Sequence, residues 1–197
     1  IEGQYVNIHN CMIAGFGTGI YKPTHPARNG IYLTDLLMDN INGISLSQIN
    51  DSMSIQRIHQ WPFATIGSSG TRKLARTGVA IYLHDMDWPR VIDCFARGFR
   101  NGIWIDENTA EAKIIGCLIE GLEGLEDYAL AGFVIGGAIN GAKAISDVVL
   151  IGCTANIGAS AAFANYGFYV NTTSNTTMIG CSAAGDNYGY FVTAGST

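Results

Sequence analysis

One phrase recurs along the chain and limits what the chain can fold into. Its clearest copy is Val91-Ile92-Asp93-Cys94-Phe95-Ala96-Arg97-Gly98-Phe99-Arg100-Asn101-Gly102-Ile103-Trp104-Ile105. An apolar pair and a small polar residue lead to a cysteine. An alternating stretch, a glycine-bearing turn and a second short strand pattern follow. The phrase opens the chain at Ile8-His9-Asn10-Cys11 with Gly19-Ile20-Tyr21, and closes it at Met178-Ile179-Gly180-Cys181 with Gly189-Tyr190-Phe191. In these three copies the glycine lies eight residues after the cysteine. Stretched copies lie between: Ile114-Ile115-Gly116-Cys117 with Gly132-Phe133-Val134-Ile135, and Leu150-Ile151-Gly152-Cys153 with Gly167-Phe168-Tyr169-Val170.

Repeats of 20–50 residues signal solenoids, propellers or arrays. Here the period is about 22–36 residues and the strand patterns are short, about 3–6 residues. No amphipathic helix of ten or more residues alternates with them, which argues against leucine-rich and βα solenoids. Propeller blades need four strands each and a longer period. The pattern predicts an all-β fold, a parallel β-helix of about seven turns with loop excursions. Each strand would pair with its copy one turn away at about 4.8 Å, giving a rod about 34 Å long. Like residues would stack in interior ladders: cysteine on cysteine, and Ile20, Ile44, Ile103, Phe133, Phe168 and Tyr190 after the glycines. The residues two and three before each cysteine are both apolar in most copies, so alternation leaves the inward phase at that bend open.

The excursions fall at fixed places. A Gly/Ser-rich basic stretch runs from Gly67 to Gly78, an acidic insert from Glu120 to Asp127, and an Ala-rich insert, long enough for one helical turn, from Gly158 to Ala164. Residues 1–197 read as a single β-helix domain. The start at Ile1 without an initiator Met, and the plain repeats at both ends, read as a piece of a longer chain.

Composition narrows the function classes. The chain is 48% apolar and 14% charged, so a large core is expected and disorder is not. A net charge of −5 argues against a general nucleic-acid surface. No apolar run reaches the roughly 18 residues of a spanning helix, so no membrane insertion is expected. The five cysteines share one slot of the repeat and none forms CxxC. Buried, reduced thiols are expected, with disulfides or a metal as the alternative.

The repeat grammar resembles the single-stranded right-handed β-helix superfamily of pectate lyases, polygalacturonases and bacteriophage tailspike depolymerases. The resemblance covers nearly the whole chain but extends to no catalytic motif. The Asp-Asp and Gly-His-Gly signatures of polygalacturonases and the Arg-x-Pro-x-x-Arg of pectate lyases are absent. Variable loops and Gly/Ala-rich repeats are most similar to tailspikes. That resemblance implies a homotrimer, at a virion surface or otherwise extracellular, that binds and often cleaves bacterial surface polysaccharide. It implies no cofactor.

Tyr21, Ser45, Tyr82, Trp104, Val134, Tyr169 and Phe191 share the slot after the interior ladder. Period-two alternation puts them outside. An outward aromatic column fits sugar stacking, or burial against loops or a neighbouring subunit. Just beyond lie His84-Asp85-Met86-Asp87-Trp88 and Asp106-Glu107. Aligning the repeats stacks Asp106 on His84 and Glu107 on Asp85. Glycoside hydrolysis needs two carboxylates about 5–9 Å apart, one as acid and one as nucleophile or base. Asp85, Asp87, Asp106 and Glu107 are therefore the candidate catalytic residues. Turn formation is their other role, because Asp and Asn bond their own backbone in tight bends.

Tyr82, Trp88 and Trp104 are candidate stacking platforms. Arg72, Lys73, Arg76, Arg97 and Arg100 are candidate contacts to an acidic sugar. Glu120, Glu123, Glu126 and Asp127 read as a solvated loop, with a calcium site as the alternative. His9 reads as a packing residue, and His25 and His59 as loop residues. Gly15-x-Gly17-x-Gly19 is followed by no helix and is no nucleotide loop. No Gly-x-Ser-x-Gly occurs, and no residue set requires a metal.

The leading expectation is recognition and hydrolysis of bacterial polysaccharide. A lyase variant would need a base plus Arg or Lys to neutralise a uronate. The rivals are a non-catalytic structural or adhesive β-helix, whose aromatic column is a subunit interface, and a secreted bacterial carbohydrate-active enzyme.

Overall fold

A computed structural model describes residues 5–24, 30–63, 76–121, 131–136, 145–158, 164–172, 175–185 and 187–194. The strands in chain order are β1 (Tyr5–Ala14), β2 (Thr18–Lys22), β3 (Gly30–Asp39), β4 (Asn42–Ile49), β5 (Met53–Gln60) and β6 (Val79–Met86). Next come β7 (Pro89–Ile92), β8 (Phe95–Arg97), β9 (Asn101–Ile105), β10 (Lys113–Ile115), β11 (Leu118–Glu120) and β12 (Ala131–Ile135). The last are β13 (Val148–Ile151), β14 (Thr154–Asn156), β15 (Tyr166–Thr172), β16 (Thr176–Ile179), β17 (Ser182–Ala184) and β18 (Tyr188–Ala194). Among the described residues every strand pairing is parallel and no helix occurs. The fold is all-β.

Two sheets result. The seven-stranded sheet runs β18-β15-β12-β9-β6-β4-β2. The eleven-stranded sheet has a trunk, β1-β3-β5, and then forks, because β5 pairs with both β7 and β8. One arm continues β7-β10-β13-β16 and the other β8-β11-β14-β17. Strands in the trunk are 8–10 residues long, longer than the sequence pattern suggests, because they run unbroken through the bend that splits the later ones. The inward side chains of both sheets form one core.

The bend has a simple backbone cause. Asn10, Asp35, Arg57, Asp93, Gly116, Gly152 and Gly180 each immediately precede the cysteine slot, and all have φ between 51° and 64°. Left-handed backbone suits Gly, Asn and Asp. Arg57 is the exception by residue type. Its guanidinium grips Asp35, the bend residue of the neighbouring strand, through Nε to Oδ1 at 2.7 Å and Nη2 to Oδ2 at 2.8 Å. One left-handed residue inverts the side-chain alternation. Val91 and Cys94 are an odd number of residues apart, yet both are buried. Ile114 with Cys117 and Leu150 with Cys153 repeat this. The residue three before the cysteine therefore points inward, and the residue two before it (Ile92, Ile115 or Ile151) does not.

The recurrent glycine lies inside the second strand rather than in a turn. A Cβ on Gly43 would sit 2.3 Å from the Ala80 carbonyl oxygen, and one on Gly102 2.3 Å from that of Gly132. At Gly43 and Gly102 the neighbouring backbone passes too close for a side chain, whereas β6 carries Ala80 in the same slot.

The ladders follow. In the seven-stranded sheet Ile20, Ile44, Ile81, Ile103, Phe133, Phe168 and Tyr190 are successive partners. The rings of Phe133, Phe168 and Tyr190 lie nearly parallel, with centroids 4.8 and 5.0 Å apart. In the other sheet Cys11 pairs with Leu36 and Leu36 with Ile58, and Cys94, Cys117, Cys153 and Cys181 continue the column. All five cysteines are free thiols; Cys94, Cys117 and Cys153 are buried, Cys181 is half-buried, and Cys11 is exposed on an outermost strand.

Buried polar groups pin the loops. Asn40 accepts from the Phe16 N–H at 3.0 Å and donates to the Ile13 carbonyl at 2.9 Å. Lys22 continues the inward column of Leu46, Leu83 and Ile105. It is almost fully buried, and its Nζ donates to the carbonyls of Ser47 and Pro23.

Candidate functional site

The outward column takes its register from the seven-stranded sheet. Tyr21, Ser45, Tyr82, Trp104, Val134, Tyr169 and Phe191 are successive strand partners. Tyr21 is exposed and the other six are half-buried. Tyr82 meets Trp104 edge to face at 5.5 Å, and Trp104 Nε1–H donates to the Gly136 carbonyl at 3.0 Å, which fixes the indole. Val134 separates these rings from a second cluster, in which Tyr169 stacks on Phe191 and Tyr166 on Tyr188, each at 5.4 Å.

A shallow groove of about 410 Å³ lies along the first part of the column. Tyr21, Ser45, Tyr82, Trp104, Asn42 and Asp106 help to line it. The Tyr82 hydroxyl donates to Asp106 Oδ2 at 2.5 Å, the Glu107 N–H donates to Asp106 Oδ1 at 2.8 Å, and His84 Nδ1 lies 3.9 Å from Oδ2. Asp106 is only 7% exposed. It is a hydrogen-bonded wall residue and not the open turn carboxylate that its position in the sequence suggests. Burial, and then Asp106 and Glu107, push the Tyr82 hydroxyl well above the ordinary tyrosine range. The tyrosine stays a proton donor to Asp106.

The other carboxylates have backbone roles. Leu83 pairs with Ile105, but Asp87 pairs with Ala110. The offset grows by one residue between these pairs, so Asp106-Glu107-Asn108 carries an insertion. Asp85 and Asn108 have φ of 55° and 54°, and the Asp85 N–H donates to the Glu107 carbonyl at 2.9 Å. The bend residue equivalent to Asp85 is thus Asn108, which corrects the stacking of Glu107 on Asp85. Trp88 is also a bend residue, with φ 53°, matched by Glu111 and Asp147 in the equivalent connections before β10 and β13. It is half exposed at the corner before β7 and does not line the groove.

The arginines are placed elsewhere. Arg76 is fully buried: Nη2 pairs with Asp39 Oδ1 at 2.5 Å, Nη1 donates to the Arg97 carbonyl at 2.8 Å, and the guanidinium lies 4.7 Å from the Phe99 ring centroid. It anchors the returning end of the basic excursion and cannot touch a surface sugar. Arg97 lies on β8 in the other sheet, paired with Glu120 at 3.3 Å and 4.7 Å over Trp61. Arg100 is exposed and does not line the groove. Arg72 and Lys73 lie outside the described residues, as do Glu123, Glu126, Asp127, His25 and most of the Ala-rich insert. Glu120 is a strand residue of β11. Among the described residues no group of three or more His, Cys, Asp or Glu is placed to hold a metal.

A second concavity of about 430 Å³, unforeseen from the sequence, lies on the outer face of the other sheet, lined by His59, Trp61, Phe63, Phe95 and Glu120. His59 is a β5 residue and not a loop residue. Its ring meets Phe95 edge-on at 4.8 Å, and burial lowers its pKa. The outward alternation of His59 with Trp61 was the available signal, hidden by the Trp61-Pro62 dipeptide that reads as a loop.

No protein-family model matches the chain, and no curated protein or solved structure matches it.

Proposed function

We propose that the two sheets are walls of a right-handed parallel β-helix of about seven turns, tailspike-like and trimeric, that binds bacterial surface polysaccharide along the aromatic column. One observation carries this reading: Tyr21, Tyr82 and Trp104 present half-exposed rings along a groove that also contains Asp106. Aromatic faces pack against the C–H faces of pyranoses, and polar neighbours fix the hydroxyls. At about 4.8 Å per strand, Tyr82 and Trp104 are one strand apart and Tyr21 and Tyr82 two, a spacing that suits an extended chain. Placement of the protein at a virion or other extracellular surface belongs to the same proposal.

Cleavage extends the proposal. Hydrolysis is favoured over a lyase route because a carboxylate, and no basic side chain among the described residues, lines the groove. Asp106 and Glu107 are the proposed acid/base pair. Asp85 and Asp87 shape the bend beside them.

The test is a panel of bacterial capsular and O-antigen polysaccharides. Binding is followed by tryptophan fluorescence, hydrolysis by new reducing ends, and lyase action by the ultraviolet absorbance of unsaturated uronate ends. New reducing ends that disappear in Asp106→Asn/Glu107→Gln support the hydrolase. Binding without cleavage leaves a recognition module. Silence across the panel, with the aromatic face buried in a self-associated species, supports the structural β-helix instead.

A further inference from the structure

We propose that the groove beside Tyr82 and Trp104 accepts uncharged pyranose units and rejects uronates, so that the glycan is neutral over the subsites it occupies there. This inference rests on the polysaccharide-binding reading above and specifies its substrate class.

The charge distribution carries the argument. Among the described residues, Asp106 is the charged residue of the groove lining, and the remaining polar groups include Thr18, Asn42 and Ser45. A uronate carboxylate needs a cation, preferably the planar fork of an arginine, when it leaves water. No described cation lines the groove. Arg100 is exposed but is not part of the lining, and the other described cations are engaged or directed elsewhere. Arg57 grips Asp35, Arg76 is buried on Asp39, and Arg97 pairs with Glu120 on the other sheet. Arg90 donates to the carbonyls of Trp88, Pro89 and Glu111. Lys22 points into the core, and Lys113 is a residue of β10 in the other sheet.

The groove also bears a negative field at its polar end. Burial first, and then the Asp106 and Glu107 carboxylates, raise the Tyr82 pKa. Each Asp106 oxygen accepts one hydrogen bond in the free protein and has a lone pair left for a sugar hydroxyl. Hydroxyl donors are therefore welcome where an anion is not. A carboxylate held about one strand spacing from Asp106 would suffer a repulsion of roughly tenfold to a hundredfold in Kd.

The experiment uses the whole chain and two size-matched oligosaccharide series. One is neutral (gluco-, manno- and N-acetylglucosamine oligomers) and the other uronate (oligogalacturonate, oligoalginate and hyaluronan oligomers). Tryptophan fluorescence and calorimetry give Kd at low and high salt. The expected result is binding of at least one neutral series with little salt dependence, and uronate binding at least about tenfold weaker at low salt. The gap should narrow in Asp106→Asn, and Trp104→Ala should weaken the neutral series. Glu107→Gln, which leaves the Tyr82–Asp106 hydrogen bond intact, should narrow the gap partway and guards against a folding defect in Asp106→Asn. Uronates binding as tightly as neutral oligomers, with Trp104→Ala still harmful, would overturn this inference and leave the binding site standing. No binding of either series, or binding indifferent to Trp104→Ala, would overturn both.

Discussion

The Tyr82 hydroxyl donates a hydrogen bond to the Asp106 carboxylate from the neighbouring strand, and both residues line the same groove. Tyr82 pairs directly with Trp104. The bond thus reaches two residues along the next strand and ties the aromatic column to the polar end of the groove.

That bond is visible in a titration. Burial and Asp106 raise the Tyr82 pKa above its unfolded value of about 10. A group with a raised folded pKa contributes stability that is fully present below the unfolded pKa and fades as pH climbs toward the folded one. Tyr82 should ionise only well above the ordinary tyrosine range in an alkaline absorbance titration. Asp106→Asn should bring its ionisation to lower pH. An unchanged titration would mean that the hydrogen bond is not formed.

The Asp39–Arg76 pair should be intolerant of half-removal. Both side chains are fully buried, so losing one partner leaves an uncompensated charge inside. Arg76→Ala and Asp39→Ala should each cost about 3–5 kcal/mol in denaturant unfolding. Asp39→Leu/Arg76→Met, which removes both charges and keeps apolar bulk, should cost markedly less than either. Equal losses in all three would point to packing rather than charge.

The bend column predicts a ranking among glycines. Gly152 has φ 61° and open space where a Cβ would go, whereas a Cβ on Gly116 (φ 64°) would lie 2.5 Å from Asp93 Oδ1. Gly152→Ala should cost about 1–2 kcal/mol for left-handed backbone alone, and Gly116→Ala more. Asp93→Gly should remove the extra cost in a double-mutant cycle. Chemical denaturation of the four variants measures the coupling.

Thiol accessibility should follow position in the cysteine column. Cys11 is exposed, Cys181 half-buried and the remaining three buried. An aromatic disulfide reagent should titrate Cys11 fast and Cys181 slowly, and reach Cys94, Cys117 and Cys153 only on unfolding. Mild alkali should not activate Cys153, because the Cys117 thiol and burial push its pKa up. Early labelling of more than two thiols per chain would contradict the packed column.

The two inner ladders and the outer aromatic column were legible as sequence because each is a fixed-spacing repeat of one residue class. The phase at the cysteine bend was not, since Ile92 and Val91 are equally apolar and only the φ of Asp93 decides between them. The glycine was legible as a marker but misread as a turn; at Gly43 and Gly102 its reason is the carbonyl of the next strand, a contact remote in sequence. The site residues divided along the same line. Tyr82 and Trp104 followed from alternation. Arg76 did not, because burial of a charge depends on Asp39, 37 residues earlier in the chain. The Asp106 insertion was invisible to an alignment that assumed constant spacing across the bend.

The left-handed column also sets where this architecture can be edited. It works like a reading-frame mark: one residue added between Val91 and Cys94 would turn a whole core-facing row outward. The connections that leave the sheets have no such frame, and strand partners are as close as Ile31 and Met53 or as distant as Met53 and Pro89 without disturbing the ladders. A lineage can therefore rewrite the surroundings of the groove by lengthening connections while the stacked interior stays untouched.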